Sequence, residues 1–199
     1  MKIGILSLQG AFVEHRLMFA SVGLTTCEVK LPTQLTDVDG LVIPGGESTT
    51  MMKLMEDYNL VTTVRELAIA GMPIWGTCAG TICLAKQVHN PDSSIMQTLA
   101  LMDITVRRNA FGRQVNSFET NLHIKGLNGG PFPGIFIRAP LIESVNSNVK
   151  VLCRLDNGEI VAAQQNNLLA TSFHPELTSD TRFHNYFGRM ADKYCRQSS

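Results

Sequence analysis

The sequence predicts an α/β fold in which helices cover both faces of a mostly parallel central sheet. The first half of the chain alternates short apolar segments with longer segments of helical periodicity. This alternation is typical of βαβ units, whose right-handed crossovers put helices on both faces of a parallel sheet. The second half is richer in strand-like segments. With 199 residues and a hydrophobic content of 44%, the chain is long enough for one domain spanning residues 1–199.

The first half contains four predicted strands and four predicted helices. The strands are predicted at residues 2–8, 25–31, 40–43 and 72–75, and the helices at residues 11–22, 49–58, 60–70 and 81–88. Ser48 is predicted near the cap of the second helix. In the first helix we expect Phe12, Leu17, Met18 and Val22 to face inward. Because parallel sheets carry their sites at the carboxyl ends of strands, the loops after these strands are the expected place for function.

The second half contains six predicted strands and a closing helix. The strands are predicted at residues 100–107, 117–124, 135–138, 149–155, 160–165 and 168–173, and the helix at residues 181–194. The tripeptide Asp156-Asn157-Gly158 between two of these strands is a strong hairpin signal. Residues 126–134, interrupted by glycine and proline, indicate a loop.

Charge and hydropathy exclude several classes of partner. The chain has 17 basic and 17 acidic residues and no basic run, which argues against nucleic acid or an anionic membrane as the main partner. No apolar stretch approaches the roughly 20 residues that cross a bilayer. Met1-Lys2 leads directly into the first predicted strand and is too short for a signal peptide. We therefore expect a cytoplasmic protein.

The cysteines and histidines are spaced unlike a disulfide framework or a zinc site. The five cysteines are Cys27, Cys78, Cys83, Cys153 and Cys195. Their odd number and the absence of a Cys-x-x-Cys pair argue against structural disulfides and zinc, and the five histidines are scattered as well. Neither a metal site nor a bound cofactor is predicted. Cys83 is interpreted as a packing residue.

The segment Gly76-Thr77-Cys78-Ala79-Gly80 lies between an apolar strand and a helical run. A strand, a sharp turn and a helix in this order lift the central side chain above the edge of a sheet. Glycines on both sides let the backbone bend without a clash at Cβ. The start of a helix also favours a thiolate at this position. The pattern is typical of a nucleophilic cysteine, and a plain turn with a buried cysteine is the alternative.

The strand predicted at residues 168–173 runs directly into His174-Pro175-Glu176. Residues two apart in an extended segment point the same way, and Pro175 stiffens this geometry, so Glu176 can approach the imidazole of His174. A catalytic base needs such a partner to fix its tautomer and to stabilise its protonated form. Together with Cys78, these residues suggest a nucleophile, a base and an orienting carboxylate. The alternative is a surface histidine followed by the start of the last helix.

The loop Pro44-Gly45-Gly46-Glu47-Ser48-Thr49-Thr50 follows the third predicted strand. It lacks the Gly-Lys-Ser/Thr ending of a nucleotide-binding P-loop, which argues against ATP. Two adjacent glycines at a strand end can instead direct the Gly46 N–H at an oxyanion, with the Ala79 N–H as a second donor. An ordinary strand-to-helix turn is the alternative. Arg108 and Arg138 are candidates to hold a carboxylate, because a guanidinium group binds carboxylates in a bidentate manner.

Seven segments together resemble the class I glutamine amidotransferase family, and within it the glutaminase subunits of pyridoxal 5′-phosphate (vitamin B6) synthases. They are Leu8-Gln9-Gly10, residues 44–50, Gly76-Thr77-Cys78-Ala79-Gly80, residues 108–114, Ser117-Phe118-Glu119, Phe136-Ile137-Arg138-Ala139-Pro140 and residues 172–177. The resemblance runs from residue 8 to residue 177. It implies a three-layer αβα sandwich of flavodoxin-like type that hydrolyses L-glutamine to L-glutamate and ammonia.

The resemblance also implies a role for each site residue. Cys78 would attack the side-chain amide and form a thioester, His174 would transfer protons, and Glu176 would orient His174. Glutamine would be held by Gly46, Glu47, Ser48, Arg108, Ile137 and Arg138. The ammonia would pass to a separate (βα)₈-barrel synthase subunit, which in this family activates the glutaminase within a large ring assembly. No nucleic acid, membrane, metal or cofactor is implied.

One region departs from the family pattern, one site residue is chosen between two neighbours, and two alternative functions stay open. Residues 87–101 match the family poorly, so no contact is carried over to them. Arg107 lies beside Arg108, and Arg108 is chosen as the substrate-binding arginine because it directly precedes Asn109-Ala110-Phe111-Gly112. The alternatives are the glutaminase subunit of another amidotransferase and a catalytically vestigial binding subunit.

Overall fold

The computed structural model describes residues 1–90, 95–108 and 117–198. The strands are β1 (Lys2–Leu6), β2 (Thr25–Val29), β3 (Gly40–Ile43), β4 (Ile74–Thr77), β5 (Ala85–His89), β6 (Met102–Arg107), β7 (Ser117–Leu122), β8 (Phe132–Ile137), β9 (Leu141–Val145), β10 (Lys150–Arg154), β11 (Ile160–Gln165) and β12 (Leu168–Thr171). The helices are α1 (Phe12–Ser21), α2 (Ser48–Asp57), α3 (Leu60–Ile69), α4 (Ala79–Leu84) and α5 (Arg182–Ser198). Most of the motif segment 108–114 lies outside the described residues.

A ten-stranded sheet forms the centre of the molecule. Its order is β2-β1-β3-β4-β12-β11-β9-β6-β5, with β10 paired to β11, while β7 and β8 form a separate hairpin. The five strands from β2 to β12 are parallel to their neighbours. Beyond β12 the pairing with β11, β9 and β6 is antiparallel. The predicted α/β fold with a mostly parallel sheet is confirmed.

Alternate side chains of the central strands face two separate hydrophobic cores. Leu41 and Ile43 of β3 belong to the core that also contains side chains of α2, α3 and α4. Val42, between them, belongs to the core that contains side chains of α1 and α5. Because successive residues of a strand point to opposite faces, one strand supplies both cores. The helices thus lie in two layers with the sheet between them, as the resemblance implies.

The parallel arrangement brings three chain segments to one edge of the sheet. Strands β3, β4 and β12 lie side by side in the same direction, with Ile43 paired to Gly76 and Thr171 paired to Thr77. Their carboxyl ends therefore meet. The chain continues from β3 into the Gly45-Gly46 loop, from β4 into Cys78, and from β12 towards His174. All three predicted segments of the site share this edge.

The predicted helix at residues 81–88 is wrong beyond Leu84. Ala85 adopts an extended backbone with φ −64° and ψ 143°. Residues Ala85–His89 instead form β5 and pair in parallel with β6. The lysine and glutamine at the centre of this segment favour a helix, but the hydrogen bonds to β6 outweigh their weak local preference.

The structure contains one strand that the sequence does not predict and one strand that begins earlier than predicted. Strand β9 was not predicted, since Glu143 and Ser144 break its apolar run, yet it pairs antiparallel with β6. Strand β8 begins at Phe132, inside the predicted loop 126–134, because it pairs with β7 along its whole length. The predicted hairpin at Asp156-Asn157-Gly158 does join two antiparallel strands, β10 and β11, and Gly158 has φ +88°.

The buried face of α1 also differs from the prediction. The helix buries His15 and Phe19, whereas Leu17, which was expected to face inward, is 61% exposed. The two buried residues are four apart and therefore lie on one face of the helix. Phe12, also expected to face inward, is half-buried against the same core, so the prediction is wrong at Leu17 and misses His15, which an apolar pattern cannot reveal.

The cap of α2 is Glu47 and not Ser48. The Glu47 carboxylate accepts hydrogen bonds from the N–H groups of Thr49 and Thr50, with donor–acceptor distances of 3.1 and 2.6 Å. Ser48 is the first residue of the helix. An acidic side chain suits this place because the first N–H groups of a helix lack partners and carry positive partial charge.

Within the described residues, no helix combines the length and the apolar character needed to cross a membrane. The same part of the chain holds no cluster of three or more histidine, cysteine, aspartate or glutamate side chains arranged around a possible metal ion. Neither finding bears on the other residues.

Candidate active site

The backbone at Cys78 makes the sharp turn that the sequence predicts. Cys78 has φ +47° and ψ −106°, a conformation that side-chain-bearing residues rarely adopt. The flanking glycines are required by close approaches: a Cβ on Gly76 would overlap the Gly80 carbonyl, and one on Gly80 would overlap the carbonyl oxygen of Ile43. The strained cysteine therefore lies between two positions that admit only glycine.

Hydrogen bonds to β12 hold this turn in place. The Cys78 N–H donates to the carbonyl oxygen of Thr171 at 2.8 Å. The buried hydroxyl of Thr81 is within 2.8 Å of the same carbonyl and 3.0 Å from the Gly76 carbonyl. Since β12 leads to His174, the segment that carries the cysteine is fixed directly to the segment that carries the histidine.

His174 and Cys78 face each other beside the Gly45-Gly46 loop. A methyl group built on Gly45 would lie 2.5 Å from Cε1 of His174 and 3.4 Å from Cβ of Cys78. The two side chains therefore border the same small space, and Cys78 is among the neighbours that raise the pKa of His174. The Cys78 sulfur also lies 3.8 Å from the carbonyl oxygen of Ile137. The imidazole and the sulfur thus stand on the same side of the sheet.

Glu176 lies behind His174, away from the cysteine. Its Oε1 is 2.7 Å from Nδ1 of His174, and both side chains are buried. The contact was predicted, but the backbone differs: Pro175–Leu177 is a turn of 3₁₀ helix and not an extended segment. The main chain of His174 is anchored as well, because its N–H donates to the Ile135 carbonyl of β8 at 2.8 Å.

The electrostatic environment favours a protonated His174 and an ionised Glu176. Burial opposes the charge on His174, but hydrogen bonds to Cys78 and Glu176 and the negative charge of both partners outweigh it and raise the pKa to about 10. Burial likewise opposes ionisation of Glu176, yet neighbouring His15 and the hydrogen bond from His174 lower its pKa. Imidazolium and carboxylate therefore stabilise each other.

The loop after β3 can present an N–H group to a developing negative charge. The Gly45 carbonyl accepts a hydrogen bond from the Ala11 N–H at 3.0 Å. In a trans peptide the C=O and N–H groups point in opposite directions, so the N–H of Gly46 points away from Ala11. The Gln9 side chain binds both main-chain groups of Glu47. It donates to the Glu47 carbonyl at 2.9 Å and accepts from the Glu47 N–H at 3.3 Å.

A cavity of about 560 Å³ opens at this edge of the sheet. The predicted site residues that line it are Gly46, Glu47, Ser48, Cys78, Ala79, Arg108, Ile137, Arg138 and His174. Glu176 is the one predicted site residue that does not line the cavity, because it lies behind His174. The structure therefore brings together every residue that the sequence nominated, with His174 on the cavity wall and Glu176 behind it.

Two charged side chains of the cavity, those of Arg108 and Glu47, form an ion pair. Nη2 of Arg108 lies 3.1 Å from Oε1 of Glu47, and Nη1 lies 3.2 Å from the Thr49 hydroxyl oxygen. Partial burial would raise the pKa of Glu47, but the N–H groups of Thr50 and Thr49 outweigh it and keep that pKa low. Arg138 is exposed and has φ +44°, which turns the chain at the end of β8.

The two adjacent arginines face different surroundings. Arg108 lines the cavity. Arg107 points to the other side of the strand, where its Nε lies 3.2 Å from Oε1 of Glu143. Alternation along the end of β6 separates them, as it does for any consecutive pair in a strand.

Sequence reasoning assigned no role to several residues of the site. The cavity wall also contains Gln9, Gly10, Ala11, Ile82, Pro140 and Leu177. Gly10 has φ +94°, and a Cβ there would overlap the Gly45 carbonyl, so this glycine permits the close approach of the two loops. Gln9 and Gly10 belong to a segment that resembles the family, and this resemblance is the sequence signal that could have placed them at the site. His15, which contacts Glu176, had no signal in the sequence.

Known proteins similar to this chain match it over almost its whole length. Residues 5–193 match the SNO glutamine amidotransferase family. The pyridoxal 5′-phosphate synthase subunit PdxT of Dehalococcoides mccartyi is 57% identical over 194 residues, which cover 98% of this chain and 99% of that protein. The subunit of the same name from Bacillus velezensis is 49% identical over 197 residues, covering 99% and 98%.

Solved structures extend the likeness to three dimensions. A crystal structure described as a glutamine amidotransferase is 42% identical and superposes with a TM-score of 0.89, covering 96% of this chain and 98% of that one. PurLQS from Thermotoga maritima is 14% identical with a TM-score of 0.64, covering 99% and 98%, and shares the fold alone. The match over nearly the full length, together with these identities, shows that the chain belongs to the SNO glutamine amidotransferase family.

Proposed function

We propose that residues 1–199 form one glutaminase domain, the subunit of pyridoxal 5′-phosphate synthase that hydrolyses L-glutamine to L-glutamate and ammonia. The observation that carries the proposal is the arrangement of Cys78, His174 and Glu176 at the edge of one cavity. The imidazole is hydrogen-bonded to Glu176 and borders the same small space as Cys78, which helps to raise its pKa. A thiolate beside an imidazolium is a strong nucleophile, and the buried carboxylate stabilises the charge on the ring.

The reaction proceeds in two halves. The Cys78 thiolate attacks the carbon of the side-chain amide, and the negative charge on the amide oxygen is bound by the N–H groups of Gly46 and Ala79. His174 gives its proton to the leaving nitrogen, the C–N bond breaks, and ammonia leaves a thioester on the sulfur. A water molecule then gives a proton to His174 as it attacks the thioester. Glutamate and the thiolate–imidazolium pair are regenerated.

The charged wall of the cavity suits the charged end of an amino acid. The guanidinium of Arg108 and the carboxylate of Glu47 match the carboxylate and ammonium groups of glutamine. These two side chains bind each other at 3.1 Å, so the substrate would exchange this internal ion pair for two of its own. Gly46, Ser48, Ile137 and Arg138 complete the pocket around the amide-bearing chain.

The second part of the proposal concerns the fate of the ammonia. The relatives PdxT are named as subunits of pyridoxal 5′-phosphate synthase. We expect this chain to dock on a (βα)₈-barrel synthase subunit and to deliver ammonia to it. Activation by that partner makes chemical sense, because a site that worked without an acceptor would waste glutamine.

The direct test measures glutamate release from glutamine with and without the synthase subunit. The native chain should release glutamate faster with its partner, and Cys78→Ala should abolish release. Cys83→Ala is the matched control. Cys83 lies on α4, which begins directly after Cys78, but it is fully buried with its sulfur 3.8 Å from that of Met51, and burial raises its pKa to about 12. No glutamate release by the native chain, or release that survives Cys78→Ala, would refute the proposal.

Two related experiments separate the alternatives. Recovery of a synthase from another pathway in a pull-down would indicate the glutaminase subunit of a different amidotransferase. Equal support of vitamin B6 synthesis from glutamine by the native chain and Cys78→Ala would indicate a vestigial binding subunit.

A further inference from the structure

A second buried polar cluster lies behind the candidate site. His15 of α1 and His184 of α5 are both fully buried, between the sheet and these helices. Their rings pack among aromatic side chains: the His15 ring centroid is 5.4 Å from that of Trp75, and the His184 centroid is 4.7 Å from that of Phe19. Two buried histidines in an aromatic core are costly unless their nitrogens are satisfied.

The nitrogens of His15 point to the catalytic side and to His184. Nε2 of His15 is 3.4 Å from Oε2 of Glu176 and 3.2 Å from the hydroxyl oxygen of Thr77. Its Nδ1 is 3.0 Å from Nε2 of His184. The other carboxylate oxygen of Glu176, Oε1, binds His174. Glu176 therefore lies between two imidazoles, one at each oxygen.

The protonation states of the two rings decide which nitrogen donates and which accepts in each contact. Burial lowers the pKa of His15, and burial followed by neighbouring His15 lowers that of His184 to about 2, so both rings are neutral and each carries one N–H. A carboxylate oxygen only accepts, and a lone pair on His15 Nε2 would be repelled by it. The proton of His15 therefore lies on Nε2, and its Nδ1 accepts from the N–H at Nε2 of His184. The remaining nitrogen of His184, which has no partner among the described residues, is then an acceptor.

We propose that His15 is a positioning residue for the glutaminase site: held by His184, it directs its Nε2–H at Oε2 of Glu176 and so fixes the carboxylate against His174. Oε2 is buried and has no hydrogen-bond partner within the described part of the chain. Nε2 of His15, which is also hydrogen-bonded with the Thr77 hydroxyl, faces this oxygen at 3.4 Å. Without that donor the carboxylate could rotate away from the imidazole. The inference rests on the proposed function, because the role of Glu176 does.

The charged and titratable groups that face His15 come from several elements. They are Glu176 and His174 after β12, Glu14 on its own helix, and His184 on α5. A purely structural role is the competing explanation, since the ring also fills space beside Trp75. The two explanations predict different results for variants that keep the approximate volume of the His15 side chain but either keep or remove its N–H donor.

The experiment compares three variants in the complex with the synthase subunit. His15→Phe keeps the ring volume and removes both nitrogens, whereas His15→Gln keeps an amide N–H near the position of Nε2. Phe19→Leu is the matched control, because Phe19 is equally buried one helical turn away and has no polar group. We expect His15→Phe to lower kcat about 10- to 100-fold with KM little changed, and His15→Gln to restore most of that loss. Phe19→Leu should lower the melting temperature and leave kcat nearly unchanged.

A second measurement does not depend on glutamine hydrolysis. The rate at which iodoacetamide alkylates Cys78 is followed against pH by mass spectrometry, without the partner. In His15→Phe the midpoint should move to higher pH, because a less stabilised imidazolium favours the thiolate less, while Phe19→Leu should keep the native profile. If the native chain hydrolyses no glutamine, this profile still reports on His15, so failure of the proposed function and failure of this inference are distinguishable.

The tautomer of His15 can be read in the native protein by ¹⁵N NMR, which keeps the test valid even if His15→Phe does not fold. Protonation at Nε2 with a bare Nδ1 supports the inference, and protonation at Nδ1 would overturn it. It would equally be overturned if folded His15→Phe kept both kcat and the native alkylation profile, or if His15→Gln lost as much kcat as His15→Phe.

Discussion

The catalytic side and the rim of the cavity are built in different ways. The proposed catalytic side consists of Cys78, His174 and Glu176, which are all at most 7% exposed. The main chain of Cys78 is anchored to β12 and that of His174 to β8. The rim consists of Glu47 and Arg108, whose side chains are 51% and 23% exposed and which meet through side-chain atoms at the surface.

This difference separates two tasks. Groups that break bonds need positions accurate to a fraction of an ångström, which a buried and hydrogen-bonded backbone provides. Groups that receive a substrate have to exchange their partners, and exposed ion pairs contribute little to stability, so they exchange at low cost. Changes on the catalytic side should therefore act on kcat or on folding, and changes at the rim should act on KM.

The largest effect is expected from Glu176→Gln. An amide can place its NH₂ group against Nδ1 of His174 or against Nε2 of His15, and either choice sets two donors face to face. We expect kcat to fall about 10³-fold through loss of the correct tautomer of His174. Steady-state kinetics with the synthase subunit measure the change, with exposed Glu66→Gln on α3 as the control. A loss below tenfold would contradict the role of the carboxylate.

The next effect concerns the turn itself, through Gly80→Ala. Helix propensity alone predicts that alanine in α4 stabilises the protein by about 1 kcal/mol. The close approach to the Ile43 carbonyl predicts the opposite, a loss of about 3 kcal/mol. Urea unfolding decides between them. Gly23→Ala serves for comparison, since Gly23 has φ +75° but no atom within 4 Å of its Cβ position, and should cost about 1 kcal/mol from the backbone alone.

At the rim, Arg108→Gln should raise KM for glutamine about tenfold with kcat nearly unchanged, because a partly exposed charge contact to the substrate is lost. Arg107→Gln is the matched control, since that side chain binds Glu143 and faces away from the cavity. Equal effects of the two substitutions on KM, or a drop of kcat in Arg108→Gln, would remove the distinction between rim and catalytic side.

The smallest effect is a change in titration. NMR of the His174 ring should show a pKa of about 10 in the native chain and a lower value in Cys78→Ala, because one partner of the charged ring is gone. Since the folded-state pKa is raised, the stability contributed by the charged ring is complete below about pH 6.5 and is lost as the pH rises through about 10. The unfolding free energies of the native chain and of Cys78→Ala should therefore differ most at neutral pH and below. An unshifted His174 in the native chain would contradict the proposed pairing.

Much of the site was predictable because its signals are local in sequence. The glycines around Cys78 reflect a backbone constraint that any five-residue window contains, and the pair His174 and Glu176 is separated by one residue. The features that sequence reasoning missed depend on contacts between segments that are distant along the chain. Residues 85–88 are predicted as helix because only pairing with β6 makes them a strand. His15 in α1 has no signal of its own, because its partners His184 and Glu176 are distant along the chain.

By itself the sequence determined the α/β class, the order of most elements, and the identity of the residues proposed as nucleophile, base and carboxylate. These follow from periodicity and from short motifs, in which the residues that matter are covalent neighbours. Only the tertiary structure decided that Arg107 binds Glu143, that Glu47 caps α2, and that His15 lies against Glu176. Each of these depends on contacts between segments distant along the chain, and such contacts are set by how the sheet and its two helical layers pack.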